Sequence, residues 1–292
     1  MTISFARMHG CGNDFVVLDD RAGRLYPQRA ALARAICHRR TGLGGDGLLL
    51  IGRAPSPSSS EGGSADFAMT YVNADGNEGE MCGNGARCVV RRAAELGIVR
   101  DRAAFATPAG LIRATLTGAR VTLGMTEPAD ERDPVTLEID GRAFELFYID
   151  TGVPHVVAFV DDLDSLDVEG IGRQIRHHPE FGPRGVNANF AKPAGPSRLR
   201  ARTYERGVEA ETLACGTGAV AIGLVAFRRG LAQSPVIILP PGGELVIGFR
   251  TDAEGRFHDV TLSGPTEEIA TGEIDDSWLA AHGLDGLIAA AA

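Results

Sequence analysis

The sequence lacks any run of about 18 consecutive apolar residues, which is near the minimum that a membrane-spanning helix needs. Its first segment, MTISFARMHGCGNDF, also lacks the basic stretch followed by an apolar stretch that marks a signal peptide. From these two absences we predict a cytoplasmic protein with no membrane partner.

Positive charge is also scarce. The chain has 29 Lys and Arg against 38 Asp and Glu, so its formal net charge is −9. Because nucleic-acid-binding surfaces need clustered positive charge, we expect no nucleic-acid partner.

Neither a disulfide framework nor a metal site is indicated. The five cysteines are an odd number in a long chain, and no Cys-x-x-Cys pair occurs among them. Cys82 and Cys88 are six positions apart without a matching second pair, which does not fit a zinc site of about four ligands. We therefore expect no metal, and the role of the thiols is left open by composition.

What the chain does have is enough apolar sequence, 44% of 292 residues, for two globular domains. Strands are predicted in the first 20 residues, at 48–51, and at 66–72, 103–107, 111–116, 119–125, 135–140, 143–149, 155–160, 198–204, 236–239, 244–249 and 257–263. Helices are predicted at 28–40, 84–96, 167–177 and 217–229, and a surface loop at 54–64. Many short strands with few helices predict an α+β fold.

The two halves of the chain resemble each other. At an offset of 133 residues, TYVNADGNEGEMCGNGA (70–86) aligns without a gap with TYERGVEAETLACGTGA (203–219). The same offset aligns Gly97 with Gly230, so both predicted helices end before a glycine, the usual residue after a helix C-cap. We interpret this pattern as a duplicated domain.

The duplication places Cys82 and Cys215 at equivalent positions, each at a helix start and followed by Gly-x-Gly. The first N–H groups of a helix have no internal partner and attract anions, and glycine lets a carboxylate approach them closely. A thiol there is expected to have a lowered pKa. Two such thiols on opposite sides of a carbon could remove a proton from one face and return it on the other.

Two other interpretations of the cysteines stay open. A Cys-His pair for acyl transfer could use His9 or His155, although it does not explain why the cysteine is duplicated. The remaining thiols are expected to be inert packing residues, namely Cys11, Cys37 and Cys88.

Three motifs, MHGCGNDFVVLD, NADGNEGEMCGNGARC and YERG…ETLACGTGA, resemble the signatures of the diaminopimelate epimerases, and the resemblance runs in order from about residue 5 to 265. It implies a cofactor-independent, two-base epimerisation of LL-diaminopimelate to meso-diaminopimelate, on the route to lysine and peptidoglycan. It also implies a homodimer with no cofactor.

The resemblance implies a fold of two pseudo-symmetric domains, each a curved, barrel-like mixed sheet around a central helix, with the active site at the domain interface. We expect one domain at 1–126, completed by a C-terminal strand near 265–280, and the other at 127–264.

By position, the resemblance implies that Cys82 and Cys215 are the catalytic bases and that His155 and Glu205 assist their proton transfers. The substrate-binding positions that it implies are Asn13, Asn73, Gly83, Asn84, Asn187, Glu205, Arg206, Gly216 and Thr217. Amide and carboxylate oxygens suit the ammonium groups of such a substrate, and an Arg suits its distal carboxylate. Asn13 and Asn73 could also be simple turn residues.

The chain departs from the family pattern at three places. Val153 stands where many members have Asn, so one side-chain amide is missing and Asn187 or water would have to replace it. Gly47 stands where some members have Gln, and the segment 207–211 is one residue longer than is common.

Val153 keeps open an alternative, a racemase or epimerase of another amino acid. A non-catalytic amino-acid-binding protein is a second alternative, and it would show no α-proton exchange. A thiol–disulfide role is a third, disfavoured because Cys-x-x-Cys is absent.

Overall fold

The computed structural model describes residues 2–55, 64–79 and 81–289, and it divides the chain into two compact units. The first unit comprises Met1–Leu123 with Pro265–Ala292, and the second comprises Gly124–Gly264. Most of the loop predicted at 54–64 lies outside the described residues, as does the end at 290–292. No helix in the described ranges is long and apolar enough to cross a membrane.

The first unit is a mixed sheet with two helices in its N-terminal part and two short ones near its C-terminus. Its strands are β1 (Ile3–Gly10), β2 (Asn13–Asp20), β3 (Gly47–Gly52), β4 (Phe67–Asn73), β5 (Glu78–Gly79), β6 (Arg102–Thr107), β7 (Gly110–Thr117), β8 (Arg120–Gly124) and, from the C-terminal segment, β19 (Glu267–Ile274). Its helices are α1 (Arg29–Ile36), α2 (Gly83–Glu95), α5 (Asp276–Ala281) and α6 (Gly286–Ala289).

The second unit has ten strands and two helices among the described residues. Its strands are β9 (Asp130–Glu131), β10 (Val135–Ile139), β11 (Arg142–Asp150), β12 (Pro154–Phe159), β13 (Asn187–Gly195), β14 (Arg198–Glu205), β15 (Ala210–Thr212), β16 (Val236–Leu239), β17 (Leu245–Thr251) and β18 (Phe257–Pro265). Its helices are α3 (Val168–Arg176) and α4 (Gly216–Arg228).

The strand order is the same in both units. It runs β19-β1-β2-β3-β4-β6-β7-β8 in the first and β10-β11-β12-β13-β14-β16-β17-β18 in the second, and β5 and β15 pair with β4 and β14. The parallel pairs are β2–β3 and β4–β6 in the first unit, and β12–β13 and β14–β16 at the same places in the second. The other neighbouring pairs in these two orders are antiparallel. This identity confirms the pseudo-symmetric α+β fold.

Each sheet curves around one buried helix. Helix α2 packs against β1, β2, β3, β4 and β7, and α4 packs against β11, β12, β13, β16 and β17, so strands far apart in the order reach the same helix. Both helices end in the same way: Gly97 and Gly230 have φ of 71° and 70°. The next residue in each case, Ile98 or Leu231, donates its N–H to a carbonyl five residues back, as in a Schellman motif.

The register of the strands corrects one detail of the sequence alignment. Val72 on β4 pairs with Leu48, and Tyr204 on β14 pairs with Ala188. Val72 lies in a core that includes residues of α1, and Tyr204 lies in a core that includes residues of α3, so the two residues are equivalent. Tyr71 is on the other face, where its ring contacts Phe15. The offset is therefore 132 in this strand and 133 only from Glu78 onward, because one extra residue lies between Glu205 and Ala210.

Most predicted elements are present within a few residues of the expected bounds, but one helix end differs, and six elements were not predicted, namely β5, β9, β13, β15, α5 and α6. Helix α1 ends at Ile36, whereas helix was predicted to residue 40. Strand β13 was not predicted, because Asn187 and Asn189 occupy buried positions where a strand pattern would show apolar residues.

Candidate active site

Helix α2 begins directly after Cys82, whose backbone is extended (φ −132°, ψ 115°). Ala86 donates the first intrahelical hydrogen bond, to the Cys82 carbonyl, at 2.8 Å. The N–H groups of the first turn, from Gly83 onward, therefore lie ahead of the regular helical bonding and form the kind of site that binds a carboxylate.

Asn13 and Asn84 meet beside the Cys82 thiol. The Asn13 Oδ1 atom lies 3.6 Å from Cys82 Sγ and accepts a hydrogen bond from Asn84 Nδ2 at 3.3 Å. The Asn13 amide is oriented from behind, because its Nδ2 donates to Asp46 at 2.7 Å. The structure thus brings three of the predicted site residues together and adds Asp46, which the sequence did not indicate.

Arg87, on the second turn of α2, is a further residue that sequence reasoning missed. Its side chain is fully buried and donates to the Gly83 carbonyl at 3.2 Å and to Asn84 Oδ1 at 2.9 Å. Burying a guanidinium is costly, so its hydrogen bonds to the first turn of α2 indicate that it fixes the Asn84 amide there.

Helix α4 begins in the same way after Cys215 (φ −106°, ψ 116°). Cys215 Sγ lies 3.6 Å from Thr217 Oγ1, and Gly218 donates its backbone N–H to the sulfur. Thr151 donates its hydroxyl to the Thr217 carbonyl at 3.3 Å. The first turn of α4 is therefore held by a contact at the Thr217 hydroxyl and by a hydrogen bond at the Thr217 carbonyl.

Glu205 is paired with the Cys215 thiol. Its carboxylate accepts hydrogen bonds from Cys215 and from the Thr212 hydroxyl, a residue that the sequence did not single out. Desolvation raises the pKa of Glu205. The arrangement gives the thiol a proton acceptor of its own.

The expected lowering of the thiol pKa is wrong for Cys215 in the ligand-free protein. Desolvation of the thiol and the adjacent Glu205 carboxylate raise the pKa of Cys215 well above its usual value, although the Thr217 hydroxyl and the Gly218 N–H act in the opposite direction. The helix start alone therefore does not decide the protonation of this thiol, because desolvation and a neighbouring negative charge outweigh it.

His155 and Asn187 lie at the start of the paired strands β12 and β13. His155 is fully buried, and desolvation, with a smaller contribution from Arg206, lowers its pKa to about 3. Asn187 donates to the Pro154 carbonyl at 3.1 Å and accepts the Arg206 backbone N–H at 2.8 Å. The Asn187 amide therefore links the Pro154 carbonyl to the backbone N–H of Arg206.

The Arg206 side chain is partly exposed, and its guanidinium has no hydrogen-bond or ion-pair partner within the described part of the chain. Asn73, in contrast, is held in its own turn: its Nδ2 donates to the Asn77 carbonyl at 3.1 Å and its Oδ1 accepts from Tyr71 at 2.6 Å. Asn73 therefore matches the turn-forming interpretation as well as the binding one.

The remaining cysteines are buried, whereas Cys82 and Cys215 are partly exposed. Desolvation raises the pKa of Cys37 and of Cys88 to about 12, as expected for inert packing thiols. Over residues 2–55, 64–79 and 81–289, no three His, Cys, Asp or Glu side chains are grouped as metal ligands would be.

Solved structures with this fold define its class. A phenazine biosynthesis protein of the PhzF family from Bacillus anthracis superposes with a TM-score of 0.72 at 15% identity, covering 94% of this chain and 99% of that one. A probable proline racemase from Agrobacterium radiobacter gives a TM-score of 0.65 at 19% identity, covering 94% and 93%. The fold class is that of the PhzF and proline racemase proteins.

Sequence comparison identifies the particular family. The diaminopimelate epimerase family profile matches residues 5–129 and 147–262. Diaminopimelate epimerases are 40% identical in Aquifex aeolicus, over 95% of this chain and 99% of that protein, and 42% identical in Chlorobaculum tepidum, over 91% and 99%. The chain belongs to the diaminopimelate epimerase family and is an isomerase, as its motifs predicted.

Proposed function

We propose that this protein epimerises LL-2,6-diaminopimelate to meso-diaminopimelate without a cofactor, with Cys82 and Cys215 as the two bases. The observation that carries the proposal is the pair of equivalent helices α2 and α4, each beginning directly after one of these cysteines. A function that did not use both thiols would not explain why each of the duplicated domains has a cysteine at its helix start.

The chemistry needs one thiolate and one thiol. The thiolate takes the α-proton, and the electron pair of the broken C–H bond spreads into the substrate carboxylate. The N–H groups at the start of a helix stabilise the negative charge that develops there. The other thiol then delivers its proton to the opposite face of the carbon, and the roles exchange in the reverse reaction.

Glu205 and Asn13 contact the two thiols in different ways. Glu205 accepts a hydrogen bond from Cys215, so it is placed to take the proton of that thiol when the thiolate is required. Asn13 faces Cys82 through an amide oxygen, which orients the thiol but cannot take its proton.

Arg206 supplies the preference for a diacid. Its partly exposed guanidinium is suited to the distal carboxylate of diaminopimelate, because a fork of N–H donors binds a carboxylate at two points. Asn187 supports the same residue by accepting its backbone N–H. The cytoplasmic location and the homodimer stay predictions that rest on the sequence and on the resemblance.

The decisive experiment is incubation of LL-diaminopimelate with the fully reduced protein in D₂O. We expect deuterium at one α-carbon and growth of the meso isomer, and we expect Cys82→Ala and Cys215→Ala to abolish epimerisation. Absence of exchange in the wild-type protein, with ligand affinity unchanged in both alanine variants, would instead indicate an amino-acid-binding protein.

A further inference from the structure

His155 has one ring nitrogen that is hydrogen-bonded and one that is not. Its Nδ1 lies 3.1 Å from Asn189 Nδ2. Its Nε2 is buried and has no partner in the described part of the chain. The identity of the proton-bearing nitrogen therefore depends on which atom of the Asn189 amide faces the ring.

The neighbours of Asn189 fix the orientation of its amide. The nitrogen lies 2.9 Å from the Val156 carbonyl, which can only accept a hydrogen bond. The amide oxygen accepts from the Thr203 hydroxyl at 3.0 Å. Rotating the amide by half a turn would place two oxygens against each other, so the nitrogen must face His155.

We propose that Asn189 is a positioning residue that holds His155 as the neutral tautomer with its proton on Nε2. An amide N–H pointing at Nδ1 requires a lone pair there, which leaves Nε2 as the donor. In the ligand-free protein, His155 then offers Nε2–H as a hydrogen-bond donor for an acceptor atom that the ligand supplies. This inference rests on the function proposed above.

The burial of the ring supports the same assignment. The pKa of His155 is about 3, so the ring stays neutral at any working pH and keeps a single proton. A buried donor without a partner is costly in the ligand-free protein. Its retention is explained if a ligand supplies the missing acceptor.

The two units differ at these positions in a way that separates chemistry from folding. Strand register makes Phe15, Leu49 and Tyr71 of the first unit equivalent to His155, Asn189 and Thr203 of the second. The first unit fills the positions with larger and mainly apolar side chains, with Phe15 packed edge-on against Tyr71. The same fold therefore does not need a polar network there.

The network also reaches the turn that carries Cys215. A Cβ atom on Gly218 would overlap Asn189 Oδ1 and would lie 3.3 Å from Cys215 Sγ. In the first unit, the atoms nearest to a Cβ on Gly85 would be the ends of the Leu49 and Phe15 side chains. Asn189 thus lies between the His155 ring and the helix start of the second unit.

The direct test is the ¹⁵N NMR spectrum of the ligand-free, histidine-labelled protein, in which protonated and unprotonated ring nitrogens have distinct shifts. His155→Gln identifies the signal among the seven histidines. We expect a proton on Nε2 and none on Nδ1, unchanged between about pH 8 and about pH 5, where ordinary histidines titrate. A proton on Nδ1 would overturn the proposal.

Two matched substitutions connect the tautomer to activity. Asn189→Asp can accept but not donate, so it should draw the proton to Nδ1 and lower kcat by at least about tenfold, as other tautomer-setting residues do. Thr203→Val disturbs the same buried network but leaves the Val156 and His155 contacts of the amide, so we expect an unchanged tautomer and a smaller loss. A kcat for Asn189→Asp no lower than that of Thr203→Val, with the tautomer changed, would contradict the proposal.

Failure of this inference is distinguishable from failure of the proposed function. If the wild-type protein exchanges no α-proton of diaminopimelate, the proposed function is wrong, whatever the tautomer. If exchange occurs and the spectrum shows Nδ1 protonated, the function stands and the role of Asn189 is wrong. The wild-type spectrum decides this even if neither variant folds.

Discussion

The Glu205 carboxylate accepts a hydrogen bond from the Cys215 thiol, which raises the pKa of Cys215 and opposes the rise in the pKa of Glu205 that desolvation causes. Burial disfavours charge on both, so the pair retains a proton in the ligand-free protein. The Cys82 thiol instead faces an uncharged amide oxygen of Asn13. Two equivalent helix starts therefore present their thiols in different electrostatic settings.

Replacing Glu205 tests whether it takes the proton from Cys215. Glu205→Gln keeps the shape and an acceptor oxygen but cannot hold a proton, so we expect kcat to fall by about 10²-fold or more, within the usual range for general acid–base groups, with little change in KM. Steady-state kinetics in both reaction directions measure this. A loss confined to KM would assign Glu205 to binding alone.

Thr212→Val is the matched control for that pair. The Thr212 hydroxyl lowers the pKa of Glu205, so its removal should raise that pKa further and shift the ionisation of Glu205 to higher pH. We expect the rising limb of the kcat–pH profile to move to higher pH, with the plateau rate largely kept. A profile at the wild-type position would show that this ionisation does not limit the rate.

The buried His155 should make the protein less stable in acid. Its pKa is about 3 in the folded state, below its ordinary value of 6.5, so the unfolded chain binds a proton that the folded chain refuses. The free energy of unfolding should therefore fall by about 1.4 kcal/mol per pH unit as pH decreases from 6.5 towards 3. Above pH 6.5 the ring is neutral in both the folded and the unfolded protein, so His155 causes no loss of stability there.

Urea unfolding followed by circular dichroism at a series of pH values measures this slope. His155→Gln has no group that titrates there, so the difference between the wild-type and variant slopes isolates the histidine. Equal slopes would mean that folding does not lower the pKa of His155.

The two glycines in the first turns of α2 and α4 should differ in their tolerance of a side chain. Gly218→Ala places a Cβ against Asn189 Oδ1 and 3.3 Å from the Cys215 sulfur, so we expect kcat to fall by at least about tenfold. Gly85→Ala adds a Cβ 3.1 Å from a Leu49 methyl group, which can move, and we expect a smaller loss. Equal losses would mean that neither position reflects a polar network.

Arg206 decides between a diacid substrate and a shorter amino acid. Arg206→Met removes the guanidinium, and we expect KM for diaminopimelate to rise by about 10- to 100-fold, corresponding to loss of a charge-assisted hydrogen-bond pair. Wild-type activity on monocarboxylic amino acids should be low and unaffected by this change. Efficient wild-type turnover of such amino acids would favour the alternative racemase and would fit the presence of Val153.

Regular elements could be predicted from sequence where packing alone governs the residue pattern. Helix α4 has an uninterrupted run of small and apolar residues from 218 to 227, and its bounds agree with the prediction to within one residue. Strand β13 was missed because Asn187 and Asn189 replace apolar residues on a buried face. The pattern failed where side chains serve the site, since buried amides look like loop residues in a sequence.

The thiols themselves were found from the duplication, but their environment was not. Glu205 was placed in the site by family resemblance, whereas its pairing with Cys215 and the resulting rise in pKa depend on strands β14 and β15, whose register a sequence does not specify. The identical Thr-Tyr pairs misled the alignment by one residue, because they lie on opposite faces of β4 and β14.

Arg87 provides the last test, because it separates positioning from stability. Its buried guanidinium holds the Asn84 amide and the Gly83 carbonyl, and its Nε has no partner in the described residues. Arg87→Met removes an incompletely satisfied buried charge as well as three hydrogen bonds, the third being to the Cys11 sulfur, and these effects oppose each other in the free energy of unfolding. We therefore expect the melting temperature to change little while the freed Asn84 amide raises KM by about tenfold.

Arg91→Met on the same helix is the matched control, since it removes the same charge from a partly exposed side chain that, among the described residues, bonds only to the Gly118 carbonyl. Its KM should stay near the wild-type value. Arg87→Lys should give an intermediate KM, because an ammonium keeps the charge but cannot reach both acceptors with a rigid fork. If Arg87→Met lowers the melting temperature strongly and leaves the KM of the folded fraction unchanged, Arg87 supports the fold and does not position Asn84.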